Sequence, residues 1–309
     1  MIALEQAAVD YLTLRRAFGY KLVGHDRLLA DFCASLQHAG LDTVTIDAAL
    51  SWAVSPGRSD AWHALRLRVV RGFARYLQTL DPSCQVPPPG VFGGAPRRVP
   101  PHIYTPHEIA ALMAQARLMS PPFRAATFET LIGLMAATGM RSGEARRLDC
   151  ADVDLQAATI TIVATKFNKS RVLALHPTTA AALAVYAEIR DQRWPLPRTT
   201  SFFVSARGAR LGHSTLNEGF GQLVDRAGLA PSAGSRARRP RPHDLRHGFA
   251  VATLLEWYEA DRDVQALMPS LSAWLGHARP ESSYWYFSAV PELLSAAAAR
   301  AQRRRSQQQ

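Results

Sequence analysis

The chain has 309 residues, 48% hydrophobic and 20% charged, enough apolar material for two globular domains and too much for wholesale disorder. Its formal net charge is +11, from 36 Lys and Arg against 25 Asp and Glu, a sign that calls for a polyanionic partner, nucleic acid or an anionic membrane. No apolar run approaches the ~20 residues of a membrane helix, and no charged-then-apolar signal order opens the chain. A cytoplasmic protein with no membrane span is therefore expected. Three widely spaced cysteines, Cys33, Cys84 and Cys150, form neither a disulfide framework nor a zinc set.

The first ~80 residues read as helices. ALEQAAVDYLTLRRAFGY and HDRLLADFCASLQHAG carry apolar stripes, the second stopping at Gly40. TIDAALSWAVS starts behind Thr45, a plausible N-cap. SDAWHALRLRVVRGFARYLQTL is long and amphipathic, with arginines at 66, 68, 71 and 75. Together these predict a small, basic helical bundle. Residues 81–102 are dense in proline and glycine and read as a linker, extended rather than packed. The expected division is a basic helical domain over 1–85, a linker over 86–102 and a second domain over 103–309.

The second domain opens with a helix capped by Thr105, with Pro106 at its first position and Glu108 completing a capping box. FRAATFETLIGLMAATGM is a mostly apolar, buried helix ending at Gly139. ATITIVATKFNKSRVLALH predicts a β-hairpin with its tip near residues 167–170. Helical patterns return in TTAAALAVYAEIRD, STLNEGFGQLVDRAG, DLRHGFAVATLLEWYEA and PELLSAAAARAQRRR. The fold class is mainly α with a small antiparallel β-sheet in the second domain. Between the helices, SRARRPRP is a basic loop in which Arg238, Arg239 and Arg241 are candidate phosphate contacts beside a solvated-loop reading.

Only three of the 36 basic residues are lysines, Lys21, Lys166 and Lys169, and two of them lie three apart in the hairpin. Lysine can give up a proton where arginine cannot, so a lysine in an arginine-writing chain is a candidate for proton transfer. Four further segments carry chemistry: TGMRSGEARRL with Arg141, HDLRH with His243 and Arg246, LGH with His277, and YWY with Tyr284 and Tyr286. Each is unspecific alone. A metal pair from His243 and His247, four apart, is an alternative reading of HDLRH, but no further His and Asp cluster accompanies it.

In their order, Arg, Lys, His-x-x-Arg, His and Tyr, these segments resemble the catalytic domain of the tyrosine recombinases, the phage integrase family. The resemblance covers most of residues 103–290. Its hairpin turn reads T-K-F-N-K-S-R, which aligns Lys166 with the family's catalytic lysine and Lys169 with an auxiliary basic position. The family's tyrosine lies nine residues after the LGH histidine, and nine from His277 is Tyr286. The resemblance thus implies Arg141, Lys166, His243, Arg246, His277 and Tyr286 as catalytic residues. Glu144 and His247 are expected to support them, and Lys169 and Arg171 to join the DNA contacts. It also implies double-stranded DNA as partner, a tetramer on two DNA sites, and no metal or other cofactor.

The chemistry suits these residue types. Two guanidinium forks can hold the non-bridging oxygens of a phosphodiester. His243 could take the phenol proton or bond the phosphate, His277 could donate to a non-bridging oxygen, and Lys166 could protonate the departing 5′-oxygen. A covalent phosphotyrosine conserves the bond's free energy, consistent with the absence of a G-x-x-x-x-G-K-[ST] loop. Two departures from the family stand out. The 31 residues from Arg246 to His277 exceed the usual span, and Gly143 and Ala145 are small where the family is aliphatic. A catalytically silent DNA-binding protein and a type IB topoisomerase-like enzyme are the alternative readings.

Overall fold

The computed structural model describes residues 3–93, 100–163, 170–232, 235, 237–277, 293–295 and 298. The chain folds as two compact units, Met1–Arg98 and Val99–Gln309. The first contains helices α1 (Leu4–Ala17), α2 (His25–His38), α3 (Ile46–Ala53) and α4 (Asp60–Gln78). Thr45 caps α3 by accepting the Ala48 N–H at 3.2 Å. Their apolar stripes meet in one core built on Leu29, Phe32, Val70 and Phe73, all without solvent exposure.

The proline-rich stretch is not free of this unit. Cys84 is buried in the same core, and Gln85 donates its N–H to Val44 O at 2.8 Å. Arg71 donates to Pro87 O at 3.0 Å and to Pro88 O at 3.1 Å. Prolines lack a donor but keep a carbonyl, and an arginine fork can hold two such carbonyls at once. Composition reported the missing donors and could not report Arg71.

The second unit contains α5 (Pro106–Arg117), α6 (Pro122–Thr138), α7 (Ser142–Arg147), a 3-10 turn over Cys150–Asp152, and a sheet of β1 (Val153–Asp154), β2 (Thr159–Ile162) and β3 (Arg171–Ala174). The order is β1-β2-β3, antiparallel throughout, with Ile160 opposite Leu173 and Ile162 opposite Arg171. The expected hairpin is thus present as β2 and β3, and residues 164–169 between them lie outside the described residues. Four more helices follow: α8 (Pro177–Arg193), α9 (His213–Arg226), α10 (Asp244–Glu259) and α11 (Val264–Leu275). The capping box on α5 forms as the sequence predicts. Among the described residues the protein is mainly α-helical with one small antiparallel sheet, and no helix is long and apolar enough to cross a membrane.

The core includes Leu131, Ile132 and Met135 of α6, which are buried in one cluster with Ile160 and Leu173 of the sheet and Leu183 of α8. A second cluster joins α10 and α11 through Val251, Leu254, Met268 and Leu271, and Leu293 is fully buried within it. The long span before His277 is therefore occupied by the end of α10 and the whole of α11. Both are packed helices rather than an extended loop.

Candidate active site

The site is assembled where three helix ends meet. α6 stops at Gly139, whose φ of +62° lies in the left-handed region that glycine enters without strain. Two residues later Arg141 caps the short α7, and its N–H donates to Glu144 Oε2 at 2.9 Å. The T-G-M-R segment is therefore a helix stop followed at once by a helix start, which fixes the Arg141 backbone at both sides.

α11 stops in the same way at Gly276, with φ +65°. The Gly276 N–H donates to Ala273 O and the His277 N–H to Ser272 O, each at 2.9 Å. This is the Schellman pattern of a helix C-terminus, and it makes His277 the second residue past the helix. The L-G-H triplet is thus a stop signal that sets one histidine in place.

A Schellman turn leaves the last carbonyls of the helix without an intrahelical donor. Here three consecutive carbonyls are taken by three different arginines. Arg171 Nε donates to Trp274 O at 2.7 Å, Arg246 Nη2 to Leu275 O at 2.6 Å, and Arg141 Nη2 to Gly276 O at 2.8 Å. Arg246 also donates to Gly139 O at 3.1 Å, tying α10 to the end of α6 as well. Its guanidinium is almost fully buried at 2% exposure, which identifies the H-x-x-R arginine as part of the scaffold as well as a cation. Cations at a helix C-terminus are favoured by the partial negative charge of its free carbonyls.

Glu144 balances this cluster. Its carboxylate accepts Arg141 Nη1 at 2.6 Å and Arg171 Nη2 at 2.8 Å. Burial works to raise the Glu144 carboxyl, but the Arg171 hydrogen bond, the Arg141 N–H and the two guanidinium charges outweigh it and hold it at about 2. It is ionised throughout the physiological range.

The histidines have the opposite environment. Burial and the charges of Arg246, Arg141 and Arg171 push His277 down to about 4. Burial pushes His243 down, with Arg246 adding to it, and His247 falls to about 3 by burial and by His243 and Arg246 nearby. His243 and His247 stand edge to face with ring centroids 5.2 Å apart. All three are neutral at pH 7, able to accept a proton at one ring nitrogen and donate from the other. Among the described residues no group of three or more His, Cys, Asp or Glu side chains could hold a metal ion.

The basic loop before α10 is anchored by Asp244, which is fully buried. Its carboxylate accepts Arg238 Nη2 at 2.5 Å and the Arg241 N–H at 2.9 Å. The Asp244 of the HD pair is thus a brace at the start of α10. Arg239, half-exposed, bonds Asp225 at 2.6 Å and Gly221 O at 2.8 Å, and the Arg241 side chain is 52% exposed. Arg171, expected among the DNA contacts, turns inward onto Glu144 and Trp274 and is 11% exposed.

The structure therefore brings together Arg141, Glu144, Arg171, Arg246 and His277, with His243 and His247 alongside. Lys166, Lys169, Tyr284 and Tyr286 lie outside the described residues. Sequence reasoning missed Trp274, whose Nε1 donates to Thr138 O at 2.8 Å and whose own carbonyl receives Arg171. No local pattern could have found it, because the partner lies 136 residues away.

Residues 103–291 match the model of the phage integrase family. The chain is 39% identical over 311 residues, spanning 98% of both chains, to "Putative integrase/recombinase y4rB" of Sinorhizobium fredii. It is 25% identical to the tyrosine recombinase XerC of Actinobacillus pleuropneumoniae over 96% of this chain and 94% of that one. Among solved structures it resembles XerH site-specific recombinase bound to a palindromic difH substrate, with a TM-score of 0.62 and 22% identity over 89% of this chain and 78% of that one. It also resembles the Tn1549 transposon integrase in complex with transposon right-end DNA, with a TM-score of 0.60 and 15% identity over 98% and 99% of the two chains. These two likenesses concern the fold, whereas the family match spans most of the second unit and the first relative spans nearly the whole chain. The chain belongs to the phage integrase family, the tyrosine recombinases.

Proposed function

We propose that the protein is a site-specific DNA recombinase that cuts and rejoins double-stranded DNA through a 3′-phosphotyrosine intermediate, in the service of a mobile element. One observation carries this reading: Arg141 and Arg246 bond the two carbonyls, Gly276 O and Leu275 O, that directly precede His277. Two guanidinium groups and a neutral histidine thereby share one small region, as the binding of a single phosphate requires. Family membership supports DNA as the substrate.

In the proposed reaction the Tyr286 oxygen attacks the phosphorus and the P–O5′ bond breaks. Arg141 and Arg246 hold the non-bridging oxygens as they gain charge. His243, neutral at pH 7, accepts the phenol proton, and His277 donates a ring N–H to a non-bridging oxygen. Lys166 gives its proton to the departing 5′-oxygen. The products are a 3′-phosphotyrosine and a free 5′-hydroxyl, and reversal with a new 5′-hydroxyl completes exchange. The N-terminal helical unit supplies further DNA contacts, with Lys169, Arg238, Arg239 and Arg241 as contacts in the second unit. Exchange between two duplexes calls for a tetramer on paired sites.

A nicked suicide duplex carrying the element's end sequence tests the reading. Wild type is expected to accumulate a denaturant-resistant protein–DNA adduct at a 3′-phosphate. DNA binding without any adduct would instead mark a silent DNA-binding protein. Relaxation of supercoils irrespective of sequence by a monomer would mark a topoisomerase.

A further inference from the structure

Arg171 poses a physical problem. A basic residue at the root of a hairpin in a chain of net charge +11 is expected to face DNA. Its guanidinium is instead committed within the protein, to Trp274 O at 2.7 Å and to Glu144 at 2.8 and 3.3 Å. Even the backbone makes room for it. A Cβ on Gly276 would stand 2.7 Å from Arg171 Nη1, so a side chain there would have to displace the guanidinium, and the φ of +65° itself favours glycine.

The electrostatics of the carboxylate explain what this commitment achieves. Glu144 is 4% exposed and ionised, and it lies between two cations. Arg171 is 11% exposed and Arg141 is 32% exposed. With both present, one positive charge remains in excess, and the more exposed of the two arginines presents it. Without Arg171, Glu144 would have Arg141 as its remaining partner in this trio. The pair would carry no net charge, and Arg141, still protonated, would lose freedom to turn toward a ligand. A buried carboxylate that loses a partner binds the remaining one more strongly, because the interior screens little.

We infer that Arg171 is a positioning residue for cleavage. It shares the charge of Glu144 so that Arg141 stays available to the scissile phosphate, and it holds the end of α11 through Trp274 O. The inference rests on the proposed role of Arg141 at the phosphate. Arg171 itself does not touch DNA.

The test is suppression by charge. Arg171→Gln keeps a polar side chain, shorter than arginine, and removes the charge. Its single-turnover cleavage of the suicide duplex is expected to fall on the order of a hundredfold, the cost of a misplaced catalytic group, with DNA affinity little changed. Adding Glu144→Gln removes the charge that sequesters Arg141, and the double variant is expected to recover most of the lost rate. A merely structural role for Arg171 predicts the reverse, a double variant as slow as the single one or slower, and that result would overturn the inference. Arg171→Lys covers the case in which Arg171→Gln fails to fold. It keeps the charge, so it is expected to retain most of the rate, and a rate as low as that of Arg171→Gln or an equal failure to fold would likewise overturn it. A methylphosphonate at the scissile position, which lacks the phosphate's negative charge, should shrink the difference between wild type and Arg171→Gln. Arg141→Gln serves as the reference: if it cleaves the ordinary phosphodiester at the wild-type rate, the phosphate reading itself fails. If Arg141→Gln is impaired while Arg171→Gln is not, only the present inference fails.

Discussion

The Trp274 indole N–H donates to the Thr138 carbonyl at 2.8 Å, joining the last turn of α11 to the last turn of α6. One residue beyond Thr138 is the glycine that leads to Arg141, and two beyond Trp274 is the glycine that leads to His277. The same ring stacks on Phe249 at 6.4 Å with an interplanar angle of 14°. Trp274→Phe retains an aromatic ring and removes the hydrogen bond. It is expected to cost about 1 kcal/mol of stability in urea unfolding and to slow cleavage more than it weakens DNA binding.

The two tyrosines of YWY are separated by a single residue, and successive helical residues turn by about 100°. If that segment is helical, Tyr284 and Tyr286 face opposite ways. Tyr286→Phe is expected to abolish the covalent adduct while sparing DNA binding in a gel-shift assay, and Tyr284→Phe to leave the adduct intact. An adduct that survives the first substitution and is lost with the second would exchange their roles.

Glu144 gives stability an acid limit. Its folded value of about 2 lies below the ordinary glutamate value of about 4.3. The unfolded chain therefore binds the proton first. The stabilisation is complete above about pH 4.3 and is lost as the pH falls toward 2, on the order of 3 kcal/mol in all. Unfolding midpoints between pH 5 and 2 should fall more steeply in wild type than in Glu144→Gln.

The histidines act over a higher window. Their unfolded value is about 6.5, and His277 is held at about 4. The unfolded state again binds more protons, so the contribution of His277 is full above about pH 6.5 and is lost as the pH falls toward 4. The slope of stability against pH between 6.5 and 5 should be smaller in His277→Gln. A bound phosphate places negative charge among Arg141, Arg246 and His277, so DNA binding in that window is expected to take up protons. Calorimetry in buffers of different ionisation enthalpy measures that uptake directly.

Arg239 and Arg241 offer the exposed counterpart to Arg171. Each phosphate contact contributes about 0.9 to the slope of log affinity against log salt. Arg241→Ala is expected to reduce that slope by about one such contact and to weaken binding to all sequences alike. Arg171→Gln should leave the slope unchanged, because its guanidinium faces the protein.

Much of this was legible in the sequence, for reasons that differ by residue. Thr45, Thr105 and Gly139 announce helix ends because capping is a local interaction, complete within a few residues. The hairpin was visible because β-branched residues cluster on both sides of a polar turn. Arg171 stands among the expected DNA contacts through the hairpin resemblance alone, because its partners are not local: Glu144 lies 27 residues away and Trp274 lies 103 away. The stretch after Asp81 was read as free because proline marks missing donors, while the arginine that takes up its carbonyls sits on α4. Arg246 appeared as a cation on a helix face, and its burial against two other helix ends depends on contacts 29 and 107 residues distant.

The carbonyl row at Trp274, Leu275 and Gly276 makes α11 sensitive to length rather than to composition. Each residue of a helix advances 1.5 Å and rotates about 100°. Inserting or deleting one residue within α11 would turn the row away from Arg171, Arg246 and Arg141 together. Substitutions on its outer face leave the row in place. Drift in this chain should therefore accumulate as exchanges along α11 and α10, with gaps confined to the turn at residues 260–263. The reach of the helix, counted from that turn to His277, acts as a fixed ruler against which the three cations are set.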